Sequence, residues 1–155
     1  MHSWITLYDV ARDGIGIIPW ILALIWVAGI VGALVALKKG PARLFVAMWL
    51  TFWLVAGAIG YGNVFYQYFA NTRALRAGTC ETTEGFIENF HGQNPMKKGD
   101  SEHFSVAGRE FHYSSANLGA SGMRSSAGFK VPLRDGLYVK IWYRHGIICR
   151  LDAQT

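Results

Sequence analysis

The sequence predicts a two-helix transmembrane hairpin followed by a small all-β domain, either an SH3- or OB-like barrel or a rolled sheet of five to six strands. Three observations carry this. Ile17–Leu37 and Leu44–Ala70 are uncharged apolar runs of 21 and 27 residues. Only Lys38-Lys39-Gly40-Pro41-Ala42-Arg43 separates them. From Thr82 onward apolar residues recur with period two, the spacing of strands with one buried face.

A helix rises about 1.5 Å per residue, so either run can cross a hydrocarbon core of roughly 30 Å. The spans are placed at 17–37 and 44–66, within a membrane unit 1–77 that includes the N-terminal tail; the β-domain is 78–155. Pro19 lies in the first turn of the first helix, where a missing N–H costs nothing. Met1–Gly16 carries Asp9 and Asp13 against one Arg12, so the stretch lacks the positive n-region of a cleaved signal peptide. Neither span contains Asp, Glu, Lys, Arg or His. Transport pathways and proton relays need such groups, which argues against a transporter.

Aromatic residues predict a shared interfacial belt, from Trp4, Tyr8 and Trp20 beside the first helix and Tyr61, Phe65, Tyr66, Tyr68 and Phe69 at the end of the second. Trp26, Trp49 and Trp53 read as lipid-facing bulk. Ala28, Gly32 and Ala36 recur at spacing four, as do Ala56 and Gly60. Small residues let helices approach closely, and this face is expected to pack the hairpin on itself, with a homo-oligomer as the alternative.

The chain's net charge of +5 is unevenly placed. Residues 1–77 hold six basic and two acidic side chains, and residues 78–155 hold nine and eight. The excess therefore flanks the membrane helices, which points to the lipid bilayer and its anionic headgroups rather than to a nucleic-acid polymer. The connecting loop has three Lys or Arg, the N-terminal flank one, and the flank after the second helix two, Arg73 and Arg76. Positive loops stay cytoplasmic. The expected protein is two-pass in a bacterial inner (cytoplasmic) membrane, with an extracytoplasmic β-domain.

Strands are expected at Thr82–Phe90, His103–Ala107, Glu110–Ser114, Phe129–Leu133, Leu137–Arg144 and Ile147–Leu151. A Gly108-Arg109 type II′ turn sets Val106 opposite Phe111 and Phe104 opposite Tyr113. Leu137, Val139, Ile141 and Tyr143 alternate inward, and Arg144-His145-Gly146 turns into the last strand. Glu81, Glu84 and Glu88 are expected to be solvated or to meet Arg73 or Arg76. The segments His91–Asp100 and Ser115–Gly128 are loops.

Three blocks carry a resemblance: Glu84-Gly85-x-Ile87-Glu88, then Phe104-x-Val106-x-Gly108-x-x-Phe111-x-Tyr113, then Gly136-x-x-Val139-x-Ile141-x-Tyr143 leading to Ile148-x-Arg150-Leu151. Over residues 82–152 the chain resembles a family of uncharacterised bacterial membrane proteins with transmembrane helices beside a small all-β domain of unknown function. The resemblance implies a fold and a membrane address, and transfers no catalytic residue.

Cys80 and Cys149, the two cysteines, lie before the first and within the last expected strand of the domain. In an oxidising compartment they are candidates for a disulfide if their Cα atoms come within about 7 Å. His103, His112 and Glu110 share an outward face and are read as solvated rather than as zinc ligands, which number three or four in a structural or catalytic site. No nucleophile frame, Walker loop or Rossmann fingerprint occurs. Catalytic, cofactor and metal residues are therefore assigned as none. The expected function is non-enzymatic: a β-domain that binds a partner protein, envelope polymer or small ligand at the membrane surface through Arg124, Lys140, Trp142 and the Ser115–Gly128 loop. The alternative is a ligand-gated membrane-disrupting effector, similar in layout to bacterial defence effectors whose β-domain senses a cyclic oligonucleotide.

Overall fold

The structure, a computed structural model, describes residues 3–14, 17–39, 43–94, 96, 100–113, 123, 126 and 129–155. Two helices, α2 (Ile17–Lys39) and α3 (Arg43–Arg76), pack against each other and are long and apolar enough to cross a membrane. Only 6% and 11% of their apolar windows is buried inside the chain. Before them come β1 (Trp4–Asp9) and the one-turn helix α1 (Val10–Asp13); after them come β2 (Glu81–His91), β3 (Glu102–Val106), β4 (Arg109–Tyr113), β5 (Tyr138–Arg144) and β6 (Ile147–Gln154). All six strands join one antiparallel sheet in the order β1-β6-β5-β2-β3-β4.

The N-terminal strand departs most from expectation. Residues 4–9 are the edge strand of the sheet, paired with β6 from Trp4↔Gln154 to Asp9↔Arg150, and not a membrane-flanking tail. A bulge between Thr6 and Tyr8 turns both Leu7 and Tyr8 into the core. Trp4 and Tyr8 are thus strand residues, not an interfacial belt. Asp9 caps α1 by accepting from the Ala11 N–H at 2.8 Å, while its own N–H donates to Asp13 at 2.8 Å, a reciprocal cap. The turn seals Val10 fully inside and leads the chain out toward α2.

Helix α3 outruns its apolar segment. Its 34 residues span about 51 Å, well beyond a hydrocarbon core. The last turns, which carry Asn71, Thr72 and Ala74, are buried, and Leu75 packs against the sheet core. Gly78, at φ +68°, ends the helix: its N–H donates to the Leu75 carbonyl at 3.2 Å and the Thr79 N–H to that of Ala74 at 3.0 Å, a Schellman termination. The helix thus continues ten residues past the expected span end at residue 66, and Asn71–Arg76, which reads as a polar flank, is the strut on which the sheet rests.

The sheet is rolled but not closed. β2 pairs with β5 through residues 81–86 and with β3 beyond them, so this long strand belongs to two sub-sheets. A side chain at Gly85 would come within 3.4 Å of Val106, where the sub-sheets approach. The roll brings Phe111 of β4 to 5.3 Å from Tyr143 of β5, although two strands intervene in the order. Phe104, Phe111, Val106, Val139, Ile141 and Leu151 fill the interior. β1 and β4 remain the two edges, so the strand pairing gives the open sheet and not a closed SH3- or OB-like barrel.

Two local expectations are corrected. The β3–β4 turn is Ala107-Gly108, with Val106↔Arg109 and Phe104↔Phe111; φ is +51° and +76°, the type I′ signature. Arg109 is accommodated beside the core because its guanidinium lies over the Tyr143 ring at 4.6 Å and pairs with Glu81 at 3.2 Å. Phe129–Leu133 forms no strand: Pro132 cannot donate to a ladder, and Phe129, Val131 and Leu133 pack onto the core from an irregular segment.

Between the helices, small residues are used at other positions than expected. Ala28, Gly32, Ala36, Ala56 and Gly60 are exposed, and a side chain added at Gly32 or Gly60 would meet nothing within 4 Å. The close approaches are at Gly29 and Gly57, one residue round each helix. They seat two indoles that cross over: Trp26 Nε1 donates to the Trp53 carbonyl at 2.9 Å, and Trp53 Nε1 to the Trp26 carbonyl at 3.2 Å. Trp26 and Trp53 therefore lock the hairpin and are not lipid-facing bulk; Trp49, 42% exposed, stays outside.

Candidate functional site

The outer face of β2, β5 and β6 carries the residues expected to recognise a partner. Alternation along β5 sends Val139, Ile141 and Tyr143 inward and leaves Lys140 and Trp142 half-buried outside. Trp142 sits opposite Arg150, and Lys140 opposite Asp152. Two cations flank the indole: Lys140 Nζ at 5.6 Å and the Arg150 guanidinium at 5.0 Å from the ring centroid. Each is also tied to an acid, Lys140 to Glu84 at 3.1 Å and Arg150 to Asp152 through two contacts of 3.0 and 2.9 Å. The face is thus an aromatic platform framed by compensated charges. Arg124 lies outside the described residues, as does most of the Ser115–Gly128 loop; Met123 of that loop is buried against the core and its N–H donates to the Ile148 carbonyl at 3.4 Å.

Cys80 and Cys149 are brought together. A bulge that sets Trp142 against Arg150 and Tyr143 against Ile148 leaves Cys149 as the extra residue, turned fully inside. Burial, then the charge and hydrogen bonding of the neighbouring Cys80 thiol, push the Cys149 thiol up; Cys80 is half-exposed and both are free thiols. Near neutral pH a maleimide is expected to label Cys80 and spare Cys149 in the reduced protein, with both labelled after denaturation, as mass spectrometry would count. Isolated from an oxidising compartment without reductant, neither is expected to react. The neutral Cys149 thiol is favoured in the fold, so its contribution is complete below the ordinary thiol value of 9.0 and is lost as pH rises above it. Thermal melts of the reduced protein should fall above that pH, and Cys149→Ala should flatten the fall.

The histidines form a row that the sequence did not reveal. His91↔His103 and His103↔His112 are direct cross-strand partners on β2, β3 and β4. Their rings stack at 4.8 and 5.4 Å with interplanar angles of 26° and 28°. Asp100 lies 3.5 Å from His91 and Glu110 3.3 Å from His112. Face-to-face rings do not aim their nitrogens at one point, and among the described residues no group of three His, Cys, Asp or Glu side chains is arranged to hold a metal ion. The signal was present only as His103 and His112 on one hairpin; a II′ register made them diagonal, whereas the I′ turn makes them opposite.

Comparison with protein-family models, curated proteins and solved structures finds no match to this chain.

Proposed function

We propose that the chain is a non-enzymatic integral membrane protein of the bacterial inner membrane, crossing it twice and presenting its rolled sheet to a partner protein or small ligand at the membrane surface. The observation that supports this best is the pairing of β1 with β6. Strands that precede α2 and follow α3 lie in one sheet, so both chain segments leaving the hairpin are built into the β-domain. The buried end of α3 adds a stiff connection. A domain fastened this way keeps a fixed orientation to the bilayer, which suits a docking platform. The lysines and arginine of the connecting loop favour an extracytoplasmic sheet. Lys140 and Trp142 supply the partner surface, and the exposed small residues Gly32, Ala36 and Gly60 supply helix faces for a second copy.

The test is topology. Alkaline phosphatase and a fluorescent protein are fused in turn after Thr155. Phosphatase activity is expected; fluorescence without it would overturn the orientation and favour the cyclic-nucleotide effector instead.

A further inference from the structure

Where α3 leaves its apolar run, an open groove of about 530 Å³ separates the helix from the turn between β5 and β6. Tyr66 and Phe69 line it nearest the apolar run, Ala70, Ala74 and Ala77 contribute small side chains, and Arg73 and Arg144 are its two charged residues. The two arginines come from different elements, one from the helix and one from the end of β5. Neither has a carboxylate within ion-pair distance among the described residues. The acids expected to neutralise this region are engaged elsewhere: Glu81 with Arg109 and Glu84 with Lys140. The Arg144 guanidinium donates to the Asn71 side-chain carbonyl at 3.5 Å, a neutral partner that orients it without cancelling its charge.

Depth identifies the occupant. Arg73 is three residues past Ala70, about 4.5 Å further along the axis. The polar headgroup layer is roughly 5–8 Å thick on each side of the hydrocarbon core. With the hydrocarbon boundary at Ala70, the last residue of the uncharged run, Arg73 falls within the headgroup layer, at the level of lipid phosphates. Arginine forks match phosphate oxygens two at a time. Resting on the membrane-spanning reading above, we infer that this groove binds the phosphate headgroup of an anionic phospholipid, with Arg73 and Arg144 as its two ligating cations.

The test uses the full chain in nanodiscs of phosphatidylcholine with a minor fraction of phosphatidylglycerol. Native mass spectrometry counts the phosphatidylglycerol retained on gentle release. Arg73→Gln and Arg144→Gln are each expected to lower retention about fivefold, the worth of one basic side chain near an anionic surface. Arg76→Gln, on the same helix end but outside the groove, should leave it unchanged. Arg73 is exposed, so its replacement leaves the core intact, and Arg144→Lys should restore part of the loss. Equal loss in all three glutamine variants, or full retention in an Arg73→Gln, Arg144→Gln double variant, would overturn the inference. Displacement of the lipid by millimolar inorganic phosphate would overturn it in favour of a free-phosphate site. A chain that does not enter nanodiscs defeats the membrane reading itself; one that enters and retains no anionic lipid defeats this inference alone.

Discussion

A fragment spanning residues 71–155 is expected not to fold, whereas the same fragment extended from Thr155 by a short flexible linker into residues 3–14 is expected to give a soluble, cooperatively melting β-domain. The linker need only be short, because Ser3 and Thr155 exchange backbone hydrogen bonds of 3.1 and 3.0 Å. Without residues 3–14 the core loses Leu7, Tyr8 and Val10, all buried. At about 1.5–3 kcal/mol for each large apolar side chain, the loss is roughly 4.5–9 kcal/mol, comparable with the entire stability of a typical domain. Leu151 and Ala153 would also be left on an uncovered edge. Near-ultraviolet circular dichroism and proteolysis distinguish the outcomes. A stable, protease-resistant 71–155 fragment would mean that β1 is an ornament on a self-sufficient domain.

The second large effect lies in the hairpin. Gly57→Ala is expected to destabilise the protein by about 2–4 kcal/mol, from overpacking and the loss of an interhelical hydrogen bond. A Cβ at Gly57 would overlap the Trp26 indole, which must then swing away and release the Trp53 carbonyl. Gly60→Ala is the matched control, three residues on and with open space around the added methyl; it should be neutral or slightly stabilising through helix propensity. Thermal melts in detergent, with tryptophan emission as a second readout, compare the two. Equal melting temperatures would show that the crossed indoles contribute little.

Much of the architecture was legible from charge and period. The uncharged runs located both long helices, and Val139, Ile141 and Tyr143 were correctly turned inward by simple alternation. What was missed has a common physical cause, because each error sits where local geometry breaks the simple period. At Leu7-Tyr8 a bulge puts two consecutive residues on one face, so Trp4–Asp9 does not alternate and reads as a membrane flank. At Ala107 a non-glycine residue takes positive φ, which moved the hairpin register by one. At Gly29 and Gly57 the small residues matter because indoles land on them, not because they form a stripe, and a spacing-of-four search selects their neighbours. The nearness of Cys80 and Cys149 depends on another bulge, and the groove at Arg73 and Arg144 on how α3 meets the sheet. Neither can be read before the strand order is known.

The partnership of β1 with β6 also constrains how the molecule is made. β1 leaves the ribosome before the other described strands, yet its neighbour in the sheet is β6, with both long helices and β2–β5 between them in the chain. Until β6 is synthesised, β1 has nothing to pair with, and Leu7 and Tyr8 have no interior to enter. The packed α2–α3 hairpin, by returning the chain to the end from which it came, shortens the search that brings these distant strands together. Contacts this far apart in sequence form slowly in a free chain; here the hairpin keeps their ends within reach.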